Sequence, residues 1–133
     1  GEKLAPLQAP SARWRVAVVI PAWRCVTADM FVRLDEYFHD EWKSTGGRAR
    51  SEACQVFDRL VRGEFFGLLP NDFSDLLLRE HGEYRALFAD FYRTGAIAWG
   101  ISGSGSSAFA LWNENDFCGF STTLPWVEDV LIF

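Results

Sequence analysis

The sequence predicts an α+β fold, with helices packed on one face of a mainly antiparallel sheet. Two observations support this class. Extended apolar runs lie near both ends of the chain, at residues 14–20 and beyond Gly95, and stretches with helical apolar spacing lie between them. The 133 residues show no internal repeat and no low-complexity tail, so we expect one domain spanning residues 1–133.

The first predicted elements are a strand and a helix. Residues 14–20 are apolar and rich in β-branched side chains, as in a buried strand, and Pro21 ends them. Thr27 can cap the helix that follows, and the Gly46-Gly47 pair ends it. The predicted buried stripe of this helix comprises Phe31, Leu34, Phe38 and Trp42.

Two further helices are predicted in the middle of the chain, separated by an apolar connector at residues 65–70. The first covers residues 49–62 and ends at Gly63. Its apolar face comprises Ala53, Val56, Phe57, Leu60 and Val61. The second is short, and Asn71 or Asp72 can cap it. Its apolar residues are Leu76, Leu77 and Leu78.

A last helix and three strands complete the prediction. The helix covers residues 82–94 and ends at Gly95. Its buried stripe comprises Tyr84, Leu87, Phe88 and Phe91. The strands cover residues 96–101, 108–112 and 127–133. Asparagine, glycine and proline interrupt residues 113–125, which we expect to be irregular.

Charge and cysteine content exclude several classes of partner. The chain carries 18 acidic and 13 basic residues, a net charge of -5, whereas nucleic-acid binding needs clustered positive charge. No apolar run approaches the roughly 18 residues of a membrane span. The three cysteines form no CxxC or metal-ligand pattern, so we interpret them as small apolar residues and expect a cytoplasmic protein without a metal site.

One polar run between the predicted strands invites a functional interpretation. This glycine-serine loop comprises Ser102, Gly103, Ser104, Gly105, Ser106 and Ser107. A Walker phosphate loop is excluded, because it needs a lysine where this chain has Ser106. A dinucleotide fingerprint needs a helix to begin at the loop, whereas both flanks favour strands. A hairpin loop fits best, either as a plain turn or as a nest whose amides and hydroxyls bind an anion.

Several separated segments of the chain match, in order and at similar spacing, the C-terminal halves of known enzymes. These segments are GEKLAPL, VVIPAWRCVTADMF, RGEFFGLLPNDFSDLLL and LFADFYRTGAIAWGISGSG. They resemble the GHMP kinase superfamily, and within it the 4-diphosphocytidyl-2-C-methyl-D-erythritol kinase family. The resemblance covers most of residues 1–112, and GISGSGSSAFALW resembles the third conserved motif of the superfamily. Beyond Trp112 the family usually has a longer helix before its final strand.

The resemblance implies a ferredoxin-like C-terminal domain of an ATP-dependent kinase. Such kinases transfer the γ-phosphate of ATP, with Mg²⁺, to a hydroxyl of the cytidine-diphosphate-linked methylerythritol of the non-mevalonate isoprenoid route. Their N-terminal half carries the main phosphate loop and the catalytic aspartate and lysine, and none of these precedes Gly1. We therefore expect no catalytic residue, bound cofactor or turnover in this chain alone. The expected partners are the N-terminal kinase domain, the small-molecule substrate and, through the exposed interface, a second copy.

The resemblance also assigns candidate site residues. It places the glycine-serine loop near the phosphates, in a binding role without acid–base chemistry. Asn71, Asp72 and Thr27 are either contacts to the cleft or helix caps, and capping is preferred. Two other functions stay open: a stand-alone α+β domain that binds a small ligand or regulates a partner, and the C-terminal domain of a homoserine, mevalonate or galactose-type kinase.

Overall fold

The polypeptide forms a five-stranded sheet with four α-helices in a computed structural model that describes residues 13–38 and 46–133. In chain order the elements are β1 (Trp14–Pro21), α1 (Thr27–Phe38), α2 (Gly46–Val61), β2 (Gly67–Leu68), α3 (Ser74–Glu80), α4 (Tyr84–Arg93), β3 (Ala98–Ile101), β4 (Ala108–Asn113), a short 3-10 turn (Glu114–Asp116) and β5 (Val127–Ile132). The α+β class is confirmed. The predictions for residues 1–12 and for Trp42 lie outside the described residues.

The strands are ordered β2-β3-β4-β1-β5. All neighbouring pairs are antiparallel except β2 and β3, which run parallel, so the sheet is mainly antiparallel as predicted. Strand β1 lies between β4 and β5, with Trp14 opposite Asn113 on one side and Ala17 opposite Ile132 on the other. The sequence did not predict β2, which lies inside the apolar connector of residues 65–70.

The sheet carries helices on both faces, and the prediction that all helices pack on one face is wrong. Successive side chains of a strand point to opposite faces. The main core joins α1, α3 and α4 to alternate strand residues, namely Ala17, Val19, Trp99, Ile101, Ala108, Ala110 and Trp112. Residues of the opposite parity, Ala98 and Leu111, pack with Leu60 of α2 in a second cluster. Helix α2 therefore covers the other face.

Helix α4 matches its prediction, and α1 matches its prediction only in part. All four stripe residues of α4 are buried, and Gly95 follows the helix with a φ of 82°. In α1 the buried residues are Met30 and Leu34, whereas Phe31 is 53% exposed. The Gly46-Gly47 pair opens α2 instead of ending α1. Phe38 packs partly buried against the main core, so Leu34 and Phe38 contact the core as predicted and Phe31 does not.

Two further predictions concern cysteines and membrane association. The three cysteines are free thiols, of which Cys25 is half-buried and Cys54 and Cys118 are exposed. Burial, reinforced by the Glu80 carboxylate, raises the pKa of the Cys25 thiol. Among the helices of residues 13–38 and 46–133, none combines the length and the apolar character that crossing a membrane requires.

Candidate functional site

The glycine-serine loop joins β3 and β4 as a hairpin loop. The antiparallel ladder ends at the Ile101–Ala108 pair, and one more bond runs from the Ser102 amide to the Ser107 carbonyl, 2.8 Å away. The Gly105 amide donates to the Ser102 carbonyl over 3.0 Å. No helix begins at the loop, because β4 follows it directly, which excludes the dinucleotide fingerprint. The predicted hairpin is confirmed.

Both glycines of the loop adopt backbone angles that favour glycine. Gly103 has a φ of 55° and Gly105 a φ of 88°. A Cβ atom on Gly105 would lie 3.0 Å from Leu77 Cδ1 and 3.2 Å from Cys25 Sγ, whereas one on Gly103 would meet nothing within 4 Å. The loop backbone therefore lies directly on the core at Gly105 and faces open space at Gly103.

Asn71 connects the start of α3 to the loop. Its Oδ1 accepts the Phe73 amide at 2.8 Å, and its Nδ2 donates to the carbonyls of Ile101 and Gly103, both at 2.9 Å. Phe73 is the residue before α3, and its own side chain makes no capping hydrogen bond. Asn71 Oδ1 accepts the Phe73 amide and the Asn71 carbonyl accepts the Ser74 amide at 2.9 Å, so Asn71 caps the turn that leads into α3, in agreement with the prediction. Its three side-chain hydrogen bonds also fix the amide between this turn and the loop.

Thr27 contacts the loop from a different element. It is the first residue of α1, and the Val26 carbonyl before it accepts the Met30 amide. The Thr27 hydroxyl lies 3.1 Å from the Ser104 hydroxyl. Thr27 thus stands inside the helix and not at the cap position that we predicted, and its side chain bonds to the loop.

Tyr84 supports the loop through a hydrogen bond to its backbone. This first residue of α4 is fully buried, and its hydroxyl donates to the Ser106 carbonyl at 2.5 Å. Burial raises the pKa of the phenol above its usual value, although the nearby Trp23 side chain acts in the opposite direction. The hydroxyl is therefore protonated and available as a donor at neutral pH. The Trp23 indole nitrogen is itself buried without a hydrogen-bond partner in the described part of the chain.

A groove of about 550 Å³ opens beside the first half of the loop, and we name it the loop groove. Its lining comprises Thr27, Phe31, Asn71, Asp72, Phe73, Gly103 and Ser104. The Phe31 ring packs edge-on against Phe73, with centroids 5.1 Å apart. Asp72 is the one carboxylate in this lining, and no lysine or arginine belongs to it. These residues do not by themselves form a Mg²⁺ site.

The structure brings together five of the residues that the sequence proposed for a site, whereas Ser102, Gly105, Ser106 and Ser107 lie in the same loop outside the groove lining. Thr27, Asn71 and Asp72 line the loop groove with Gly103 and Ser104. Sequence reasoning missed Phe31 and Phe73 in the groove lining and the role of the Tyr84 hydroxyl. Phe31 was assigned to the core, and Tyr84 was recognised as buried without any sign that its hydroxyl holds the loop. The signal for Tyr84 was weak, because a tyrosine in an apolar stripe needs a polar partner but the sequence does not name it.

A second, polar cavity lies at the opposite end of β4. Arg13, Arg62, Gly63, Asn113, Glu114 and Asp116 belong to its lining. Asn113 donates to the Gly63 carbonyl at 3.3 Å, and Glu114 lies 3.5 Å from Arg15 and 3.9 Å from Arg13. Arg62 pairs with Glu64 at 2.7 Å, and Asp116 accepts a hydrogen bond from Asn113 at 3.3 Å, so each of these charged groups already has a partner within the chain.

Comparisons of the chain with protein-family models, with curated proteins and with solved structures found no match. The function is therefore argued from the residues and geometry of the chain itself.

Proposed function

We propose that this chain is the C-terminal domain of an ATP-dependent kinase that phosphorylates 4-diphosphocytidyl-2-C-methyl-D-erythritol. One observation carries the proposal: three segments that are distant in the sequence, and that carry the resemblance to this kinase family, meet at one groove. Thr27 Oγ1 lies 3.1 Å from Ser104 Oγ, and Asn71 Nδ2 lies 2.9 Å from the Gly103 carbonyl oxygen. A plain hairpin turn does not need either contact.

The chemistry of the loop fits an assisting role beside a phosphate. Glycines let the backbone approach an anion closely, and amide and hydroxyl groups donate hydrogen bonds to it. The loop and the groove lining contain no histidine or lysine that could move a proton or balance the charge of a triphosphate. The catalytic groups and the main phosphate loop are therefore assigned to the proposed N-terminal domain, with ATP and Mg²⁺ bound in the complete enzyme.

The deciding experiment is a phosphotransfer assay on the product of the whole reading frame that encodes this chain. We expect that frame to encode a glycine-serine loop upstream, and its product to phosphorylate the methylerythritol substrate with ATP and Mg²⁺, as followed by ³¹P NMR. Homoserine, mevalonate and galactose serve as alternative acceptors. A frame that starts near Gly1, or a full-length protein that phosphorylates none of these alcohols, would contradict the proposal.

Residues 1–133 alone are expected to bind ATP and Mg²⁺ weakly or undetectably. The reason is that the loop groove offers few donors and no positive side chain to a triphosphate. Calorimetric titration measures this directly. Micromolar binding by this chain alone would show that the site is more complete than we propose.

The proposed kinase domain interface has a measurable consequence. Val26, Phe31 and Val32 are exposed apolar side chains at and beside the start of α1, next to the loop groove. On the proposal they pack against the N-terminal domain, so the separate chain should self-associate through them. Sedimentation at several concentrations tests this, and a strict monomer at high concentration would count against it.

A second candidate, a stand-alone domain that binds a small ligand or regulates a partner, is favoured by one observation. The loop groove combines polar loop atoms with the exposed ring of Phe31 and lacks a positive side chain, which also suits an uncharged ligand. A native start near Gly1, together with binding of an uncharged ligand in place of phosphate, would favour this function over the kinase.

A further inference from the structure

Two carbonyl groups of the glycine-serine loop are held by side chains from outside the loop. Asn71 Nδ2 donates to the Gly103 carbonyl at 2.9 Å, and the Tyr84 hydroxyl donates to the Ser106 carbonyl at 2.5 Å. The two donors come from different parts of the chain, one before α3 and the other at the start of α4. Each fixes the orientation of one peptide group of the loop.

The orientation of a carbonyl determines the direction of the amide that follows it. In a trans peptide the C=O and N–H bonds point in opposite directions. The cis peptide of the loop is Gly105–Ser106, so the Gly103–Ser104 and Ser106–Ser107 peptides are both trans. The Ser104 amide therefore points away from Asn71, and the Ser107 amide points away from Tyr84.

Neither of these amides is used within the described part of the chain. The Ser102 and Gly105 amides donate to carbonyls of the loop itself, but those of Ser104 and Ser107 have no acceptor among residues 13–38 and 46–133. Two oriented and unused amides are the kind of donors that an anion-binding loop presents. The hydrogen bonds from Asn71 and Tyr84 keep both peptides in this orientation before any ligand arrives.

We infer that Tyr84 is a positioning residue of the loop, which holds the Ser106 carbonyl so that the Ser107 amide joins the Ser104 amide in binding a phosphate group. The inference rests on the proposed function, because it assumes that the loop binds phosphate. What it adds is a binding role for the Tyr84 hydroxyl. A phenylalanine would fill nearly the same buried space but could not hold the carbonyl, so the ring supports packing and the hydroxyl supports binding.

The test is a titration of residues 1–133 with inorganic pyrophosphate, followed by ¹H–¹⁵N NMR. In the wild-type chain we expect saturable shifts of the Ser104 and Ser107 amide signals with one common Kd in the millimolar range. The Ser102 and Gly105 amides, which already have acceptors, should move much less and serve as internal controls. Tyr84→Phe should weaken pyrophosphate binding about fivefold, the effect of one hydrogen bond.

The matched control is Tyr92→Phe on the same helix. Tyr92 is 65% exposed and lies near Phe65 and Trp99, away from the loop, so its loss of a hydroxyl should leave the Kd unchanged. Thermal unfolding of each variant checks that it is folded at the temperature of the titration. If Tyr84→Phe does not fold, the wild-type titration decides the question. Pyrophosphate that shifts the Ser104 amide signal but not the Ser107 amide signal overturns the inference.

The outcomes separate this inference from the proposed function. Folded Tyr84→Phe that binds pyrophosphate as tightly as the wild type overturns the role of Tyr84 but leaves a phosphate-binding loop intact. A wild-type chain with no saturable shift at any loop amide overturns the inference that the loop alone is oriented to bind phosphate, whereas the proposed kinase function is decided by the phosphotransfer assay on the whole reading frame. Wild-type binding through the Ser104 and Ser107 amides that weakens in Tyr84→Phe supports both the role of Tyr84 and a phosphate-binding loop.

Discussion

Strand β4 is flanked by two irregular segments that are fixed by different forces. The glycine-serine loop before it is fixed by hydrogen bonds to its carbonyls from Asn71 and Tyr84. The segment after it, residues 114–126, is anchored mainly by aromatic rings, and we name it the aromatic connector. Phe117 packs on Trp112, with ring centroids 5.3 Å apart, and Phe120 packs on Phe91 at 5.0 Å.

Anchoring by hydrogen bonds and anchoring by aromatic rings have different consequences for the backbone. Aromatic anchoring depends on the apolar area that is buried and sets few demands on individual peptide groups. Hydrogen bonds to carbonyls fix individual peptide groups, and the Ser104 and Ser107 amides that follow two of these carbonyls have no acceptor among the described residues. The conformation of the loop therefore depends on individual hydrogen bonds, whereas that of the aromatic connector depends on the packing of its rings. Substitutions that remove one kind of contact should destabilise one segment and not the other.

The largest effect is expected for Gly105→Ala. The new methyl group would stand 3.0 Å from Leu77 Cδ1 at a φ of 88°, so strain and overpacking should together cost about 3 kcal/mol of stability. Gly103→Ala is the matched control, because its methyl group meets nothing within 4 Å and only the backbone penalty of about 1 kcal/mol applies. Urea unfolding measures both, and equal losses would contradict the close packing of the loop on the core.

The next effect tests the aromatic connector. Phe120→Ala removes a half-buried ring that packs on Phe91 and on Trp112, and it should cost about 2 kcal/mol, less than for a fully buried phenylalanine. The control is Phe31→Ala, which should cost about 0.5 kcal/mol because the ring is 53% exposed. The loop amides should keep their NMR shifts in Phe120→Ala. A loss no larger than that of the control would show that the rings do not anchor the segment.

A similar effect is expected for Asn71→Asp. The variant keeps the oxygen that accepts the Phe73 amide but loses the donor to the Ile101 and Gly103 carbonyls, at a cost of about 2 kcal/mol for two hydrogen bonds. Asp72→Asn next to it should change stability by less than about 0.5 kcal/mol, because Asp72 is exposed. Chemical denaturation compares the pair. The reverse order of losses would mean that Asn71 does not hold the loop.

The smallest effect concerns alkaline pH. Burial raises the pKa of Tyr84 in the folded chain above its ordinary value of 10.0, so the unfolded chain releases this proton first as pH rises. Stability from this group is complete below pH 10.0 and falls as pH increases beyond it. Urea midpoints between about pH 9 and 11 should therefore decline more steeply in the wild type than in Tyr84→Phe. Parallel curves would contradict a protonated, buried phenol.

Much of the loop and its supporting strands could be predicted because the signals are local. Apolar residues at helical spacing identify α4, and the change to extended patterning after Gly95 identifies β3 and β4 around the glycine-serine loop. These patterns depend on neighbours within one or two turns. They suffice to place the candidate loop without knowledge of the rest of the chain.

The errors arose where two patterns compete or where a partner is distant. In α1 the predicted residues Leu34 and Phe38 pack on the core, but Met30 and not its neighbour Phe31 completes the buried face, a choice that tertiary packing makes. Strand β2 is two residues long and is defined by pairing with β3, not by its own sequence. The face that α2 covers likewise depends on tertiary packing, which periodicity does not encode.

The candidate site was predictable as a set of residues but not as a set of bonds. Asn71 and Thr27 were singled out, yet preference for helix capping hid their contacts to the loop, since the same side chains satisfy either role. The hydroxyl of Tyr84 bonds to Ser106, 22 residues away, and no local signal specifies that distance.

The central position of β1 has a consequence for how the chain acquires its fold. Residues of β1 pair with partners about ninety residues or more later in the chain, from Val19 with Ala108 to Ala17 with Ile132. Contacts of such long sequence separation form slowly, and during synthesis β1 stays unpaired and apolar until β4 and β5 have left the ribosome. Until then this strand is open to aggregation, and chaperones that bind short apolar segments have a clear target there.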